Sequence, residues 1–147
     1  MSFRVLVVED EVTFRLALEF HIEAAIDGAE VNSLTGDPAE VEDYFRSGAR
    51  PQLAIIDLQL PGGNGFDPDG GFRIIESLQS LDEAVPVIVL TIRNDSEAMA
   101  HARQHPSIRY LVTKPWDPEQ LTSFIDACRK GSAAGLTVVG LPGDSPE

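Results

Sequence analysis

The sequence predicts an open parallel α/β sheet covered by helices on both faces. Short β-branched runs alternate with helical patterns along the chain, the signature of repeated βαβ units. The runs VLVV, LAII and VIVL are apolar at consecutive positions, as in strands buried on both sides. Two helix starts are also punctuated by Asp-Pro.

The expected strands are Phe3–Val8, Ala29–Leu34, Leu53–Ile56, Val85–Leu90 and Arg109–Val112. After the second strand, Asp37-Pro38-Ala39-Glu40 offers an Asp cap, Pro at the first helical position and Glu three residues after the cap. Asp37-Pro38 is matched by Asp117-Pro118-Glu119-Gln120 before the last helix. In that last helix Leu121, Phe124, Ile125 and Cys128 form one apolar stripe, so Cys128 belongs to the core. Two segments stand outside the alternation, the Gly-rich loop PGGNGFDPDGG at 61–71 and the tail from Gly131 to Glu147.

The chain has 147 residues, 11 Lys and Arg against 24 Asp and Glu, a net charge of -13 and 43% hydrophobic content. A single domain of this size buries roughly 68–70% of its unfolded surface, enough for one core. The lone Cys128 has no partner for a disulfide within the chain, which fits a reducing, cytoplasmic setting. No apolar run reaches membrane-spanning length, and the start lacks a basic region followed by a long apolar one. The acidic balance argues against direct binding to nucleic acid or anionic lipid.

In an open parallel sheet, ligands bind beyond the carboxyl ends of the strands. Glu9, Asp10 and Glu11 follow the first strand, Asp57 the third, Thr91 the fourth and Lys114-Pro115 the fifth. Carboxylates gathered this closely repel one another unless a cation sits among them, and hard oxygen ligands suit Mg2+. Glu11 is read as a solvated or helix-starting carboxylate.

With these residues in view, the sequence resembles the receiver domain of two-component response regulators. VLVVEDE at 5–11, IIDLQLPGGNG at 55–65, VIVLT at 87–91 and TKPW at 113–116 carry the match, which covers about residues 3–130. The resemblance implies a flavodoxin-like doubly wound five-stranded parallel sheet, order 2-1-3-4-5, with five helices. It divides the chain into a receiver domain at 1–130 and a C-terminal tail or linker at 131–147. It implies that Asp57 accepts a phosphoryl group and that Asp10 and Asp57 ligate Mg2+ directly. The backbone carbonyl of Gln59 completes the protein ligands and Glu9 acts through a water. Thr91 and Lys114 bind phosphoryl oxygens, and the Lys114-Pro115 peptide is expected to be cis.

The implied partners are a histidine kinase or histidine phosphotransfer protein as donor and a downstream effector, in another protein or beyond the end of this chain. A phosphorylation-dependent homodimer is a further expectation. The protein would be a switch rather than a turnover enzyme. Two rival readings stand beside this one: a receiver-like interaction module that is not phosphorylated, and a flavin-binding protein or metal-dependent phosphatase. Against the second pair, no phosphate-cradling loop follows the first strand, and Gln59 stands where a general-acid Asp would be.

Several positions depart from the family pattern. Ile92 stands where a small residue is usual, and its bulk is expected to narrow access to the phosphoryl site. Gln59 and Arg93 flank the approach of a hydrolytic water and are expected to tune phosphoryl lifetime. The family's switch aromatic falls at Leu111, with Tyr110 offset by one; a local bulge restores it or the coupling is replaced. The 61–71 loop is longer than usual by about six residues, by count against the family spacing. Asp67, Asp69, Gly70 and Glu76 coincide with positions of a calcium-binding EF-hand loop, but Gly65 at its first position has no ligand, so Glu76 reads as an exposed helix residue. His21, His101 and His105 are read as solvated or helix-surface residues without ligand spacing.

Overall fold

The computed structural model describes residues 3–58, 60–62, 65–67, 70–81, 85–92, 96–131 and 135–139. The apolar runs form strands β1 (Phe3–Val8), β2 (Ala29–Leu34) and β3 (Leu53–Asp57). Next come the short β4 (Leu60–Gly62) and β5 (Gly65–Asp67), then β6 (Val87–Thr91), β7 (Ile108–Thr113) and β8 (Thr137–Val139). The helices are α1 (Val12–Ala25), α2 (Pro38–Arg46), α3 (Gly70–Leu81), α4 (Ser96–Arg103) and α5 (Pro118–Lys130).

The main sheet has the order β2-β1-β3-β6-β7-β8, all pairs parallel. Its first five members reproduce the expected order, because β4 and β5 are a separate antiparallel ribbon inside the long loop. The expected five strands gain a sixth: Thr137, Val138 and Val139, read as part of a tail, pair with Tyr110, Leu111 and Val112. Their β-branched side chains suit a strand, and β7 otherwise presents unpaired backbone at the sheet edge.

Period-two alternation divides the core. Leu6, Val8, Ala54, Ile56, Val87, Val89 and Leu111 pack with Phe72, Ile75 and Leu78 of α3 and Ala98 and Ala102 of α4. Val5, Val7, Leu53, Ile55, Ile88, Leu90 and Val112 pack with Leu18 and Ile22 of α1 and Leu121, Ile125 and Cys128 of α5. Cys128 thus sits in the core as its helical spacing predicts, and burial pushes its thiol up to about 11.

The two Asp caps form as read, while Glu40 accepts from the N–H and hydroxyl of Thr35 rather than from Asp37 N. Asp37 and Asp117 accept from the backbone N–H groups of Glu40 and Glu119, each with Pro at the helix start. Glu11 caps α1 by accepting from Thr13 N at 3.2 Å, the helix-starting role expected of it. Among the described residues, no helix is long and apolar enough to cross a membrane.

An acidic pocket at the carboxyl edge of the sheet

The parallel strands deliver their carboxyl ends to one edge. Glu9, Asp57 and Lys114 continue the alternation set by Val7, Ile55 and Val112, all of which face α1 and α5. Three charged side chains are thereby brought together beneath the N-terminus of α1. Lys114 Nζ lies 2.6 Å from Glu9 Oε1 and donates to Asp57 Oδ2 at 3.1 Å. All three residues are buried, with exposures of 1% for Glu9, 5% for Asp57 and 7% for Lys114. The ammonium also rests 4.5 Å from the centre of the Phe14 ring, whose face favours a desolvated cation.

Backbone contacts fix the acidic loop. Glu9 Oε2 accepts from Glu11 N at 3.0 Å, and Arg15 of α1 donates to the Glu9 carbonyl at 2.9 Å. Asp10 is exposed at the rim, and Glu9, Asp10 and Asp57 each bring a carboxylate oxygen within 4.8 Å of the others. Burial, joined by the nearby Asp57 charge, pushes the Glu9 carboxyl up to about 7 against the pull of Lys114. One ammonium cannot neutralise both Asp10 and Asp57, and Glu9 adds a further negative charge whenever it ionises. The donor set is all hard oxygen and its charge is in deficit, so the residues present fit Mg2+.

Thr91 ends β6, is buried, and stands one position beyond Leu90, the register partner of Asp57. Its carbonyl accepts from Lys114 N at 2.8 Å, which ties the ends of β6 and β7 together. The Lys114–Pro115 peptide is cis, as the resemblance implies. Ile92 is 66% exposed, so its bulk stands in solvent beside Thr91 rather than in the core. Gln59 and Arg93, expected to provide a carbonyl ligand and to tune hydrolysis, lie outside the described residues.

The pairing of β6 with β7 contains the bulge considered for Tyr110, and it acts in the opposite sense to a restoration. Val87 pairs with Ile108, but Ile88 pairs with Tyr110, so Arg109 is the extra residue. The insertion reverses the alternation after Ile108 and turns Tyr110 toward α5, where it stacks on Phe124 with ring centres 4.1 Å apart. Leu111 takes the opposite face, on which the Thr91 position also falls, and is buried. An aliphatic side chain therefore occupies the place of the family's switch aromatic. Trp116 lies against Phe14 and His21 of α1, at the edge of the core cluster that also holds Leu121 and Ile125 of α5.

Sequence reasoning missed two features. Gly71 lies inside α3, donates its N–H to the Leu58 carbonyl at 2.9 Å, and leaves only 2.2 Å between an added Cβ and the Asp57 carbonyl oxygen. The glycine lets α3 start directly against the loop that carries Asp57. Second, His101 and His105 do not stand apart: with Glu76 they bring ligand atoms within 4.8 Å of one another. No local signal marks the set, because His105 lies beyond the end of α4 and Glu76 comes from α3.

Comparison with known proteins agrees with this geometry. The family model for the response regulator receiver domain matches residues 5–126. The virulence transcriptional regulatory protein PhoP of Shigella flexneri is 33% identical over 140 residues, covering 95% of this chain and 58% of that protein. The PhoP of Salmonella typhimurium is 31% identical over the same length. The chain thus spans a little over half the length of these relatives. Among solved structures, the isolated receiver domain of RcsB from Salmonella enterica, determined with phosphomimetic BeF3-, aligns with a TM-score of 0.74 at 20% identity, covering 93% of this chain and 94% of that one. The signal receiver domain of an HD domain-containing protein from Pseudomonas fluorescens gives a TM-score of 0.74 at 17% identity, covering 90% of this chain and 98% of that one. Fold, edge pocket and sequence match lead to one conclusion: the chain belongs to the response regulator receiver domains of two-component signalling systems.

Proposed function

We propose that Asp57 is the phosphoacceptor of this receiver and that its donor is the phosphohistidine of a histidine kinase or phosphotransfer protein. The observation that carries this reading is the burial of Asp57 at the carboxyl edge of the sheet with Lys114 bonded to it and Glu9 and Asp10 beside it. A carboxylate oxygen of Asp57 attacks phosphorus in line; the P–O bond forms as the P–N bond to the donor imidazole breaks, giving an acyl phosphate. Lys114 then neutralises a phosphoryl oxygen, and the Thr91 hydroxyl donates to another. Asp10 and Asp57, with the carbonyl of Gln59, would hold Mg2+ directly and Glu9 through a water. When bound, Mg2+ supplies positive charge against the phosphoryl oxygens and offsets the carboxylates' mutual repulsion.

The donor must reach a pocket beneath the start of α1. That helix presents Val12, Leu16 and Phe20, exposed and four residues apart, as an apolar stripe leading away from the pocket. A helical donor lying along this stripe would carry its histidine to Asp57. Phosphorylation would add charge and acceptor oxygens beside Thr91 and shift the population between two states of the β6 end. Leu111, in place of an aromatic, gives that switch an aliphatic neighbour. The output is an effector in another protein or in a further part of a longer protein, reached through this switch rather than by turnover. We place the protein in the cytoplasm, where the donor would be met.

Intact mass after incubation with acetyl phosphate tests the reading. Addition of one phosphoryl group with Mg2+, and little without it, is expected. No addition in either condition would favour the rival in which the domain works unphosphorylated.

A further inference from the structure

On the opposite helical layer, away from the acidic pocket, three potential ligands from α3 and the end of α4 converge. Glu76 projects from α3, His101 from the last turn of α4, and His105 from the turn that follows it. His105 is buried, and its Nδ1 lies 3.0 Å from the His101 carbonyl oxygen. A carbonyl can only accept, so Nδ1 carries the proton. In the neutral ring Nε2 is then left with its lone pair, and Nε2 faces Glu76 Oε2 at 3.4 Å.

A bare imidazole nitrogen and a carboxylate oxygen repel unless a proton or a metal ion lies between them. A charge-assisted hydrogen bond would draw the pair to about 2.7–2.9 Å. Two ligands of one tetrahedral ion, with bonds of about 2.0–2.2 Å, stand about 3.3–3.5 Å apart. At 3.4 Å the two groups are spaced so that one ion could be ligated by both. The Nδ1–H bond to a backbone carbonyl is also the contact that fixes the tautomer and plane of a metal-bound histidine.

His101 completes the set. Its ring lies against Phe72 with centres 3.8 Å apart, and its centre is 5.2 Å from that of His105. Phe72 is itself buried, so the stacked ring is held on a rigid apolar floor. Glu76 is exposed, which leaves one side open for a water as fourth ligand. Two imidazoles and a carboxylate select a borderline transition metal over Mg2+, unlike the all-oxygen pocket at the strand ends. We propose that Glu76, His101 and His105 form a Zn2+ site that clamps α3 to the end of α4, the helix that follows Thr91 in the chain. The site is independent of phosphoryl transfer, and its ion would restrain a helix next in sequence to the switch.

Zn2+ titrated calorimetrically into the full chain, with Mg2+ in large excess to occupy the acidic pocket, tests the proposal. One equivalent should bind, and His101→Ala and Glu76→Gln should each weaken it at least about tenfold. Circular dichroism establishes that each variant is folded; where His101→Ala is not, His101→Gln replaces it. Co2+ bound to the wild-type chain should show the strong visible absorption of a tetrahedral ion. Equal Zn2+ affinity in the wild type and the folded variants, absence of stoichiometric binding, or displacement of Zn2+ by Mg2+ would each overturn the site.

Discussion

Replacing Gly71 by Ala sets two effects of opposite sign against each other. Inside a helix, Ala is favoured over Gly by about 0.5–1 kcal/mol, so a Gly71→Ala variant with room for its methyl would be stabilised. There is no such room. The new Cβ would lie 2.2 Å from the Asp57 carbonyl oxygen, 2.7 Å from Leu58 Cα and 2.9 Å from the Asp57 carbonyl carbon. All three are backbone atoms, so no side chain can rotate away. To reach 3.0 Å, below which real Cβ contacts essentially never fall, the helix and the loop must separate by about 0.8 Å. That displacement strains the 2.9 Å bond from Gly71 N to the Leu58 carbonyl and moves the backbone of Asp57 itself. Overpacking of this kind typically costs about 1–3 kcal/mol, which outweighs the helix gain. Urea unfolding should therefore show net destabilisation of about 1–2 kcal/mol. Labelling by acetyl phosphate should slow in the folded variant, because Asp57 is no longer set against Lys114. A variant more stable than wild type, labelled at the wild-type rate, would refute the reasoning.

Other perturbations separate the parts of the account. Lys114→Met leaves Glu9 and Asp57 buried without their shared cation, and should cost about 3–5 kcal/mol by chemical denaturation, with Mg2+ restoring part of the loss. Ile92→Ala removes an exposed side chain, so stability should stay within about 0.5 kcal/mol. If Ile92 narrows the mouth, acetyl phosphate labelling of the variant should quicken several-fold; an unchanged rate would mean that Ile92 points away from the phosphoryl path. Asp10→Asn should abolish most of the Mg2+-induced rise in melting temperature, and an undiminished rise would remove Asp10 from the ligand set. Cys128, buried and with its thiol pushed up to about 11, should react with a thiol reagent at pH 8 far more slowly in the native protein than in urea. Equal rates would place the thiol outside the core.

The parts of this structure that are local in the chain were legible in the sequence. Buried strands need consecutive apolar residues, and helix starts after Asp-Pro need only neighbours along the chain, so their placement agrees with the pattern. The pocket was legible because parallel strands put their carboxyl ends on one edge, so Glu9, Asp57, Thr91 and Lys114 had to meet there once the order was known. Features created by pairing were not legible. Nothing within IRYLVT marks Arg109 as the extra residue; the bulge exists only against Val87 and Ile88 of the neighbouring strand. The strand at Thr137–Val139 depends on a free edge of β7, and the Glu76, His101 and His105 cluster on how α3 packs beside α4. The reason for a glycine at position 71 likewise appears only when the backbone of Asp57 lies behind it.

The central claim is that Asp57, among the acidic residues of the pocket, receives the phosphoryl group. The most direct measurement is the intact mass of wild type and Asp57→Asn after identical treatment with acetyl phosphate and Mg2+, with both proteins folded by circular dichroism. The account predicts one added phosphoryl group in the wild type and none in the variant. Equal labelling of the two would place the phosphoryl group elsewhere and contradict the assignment.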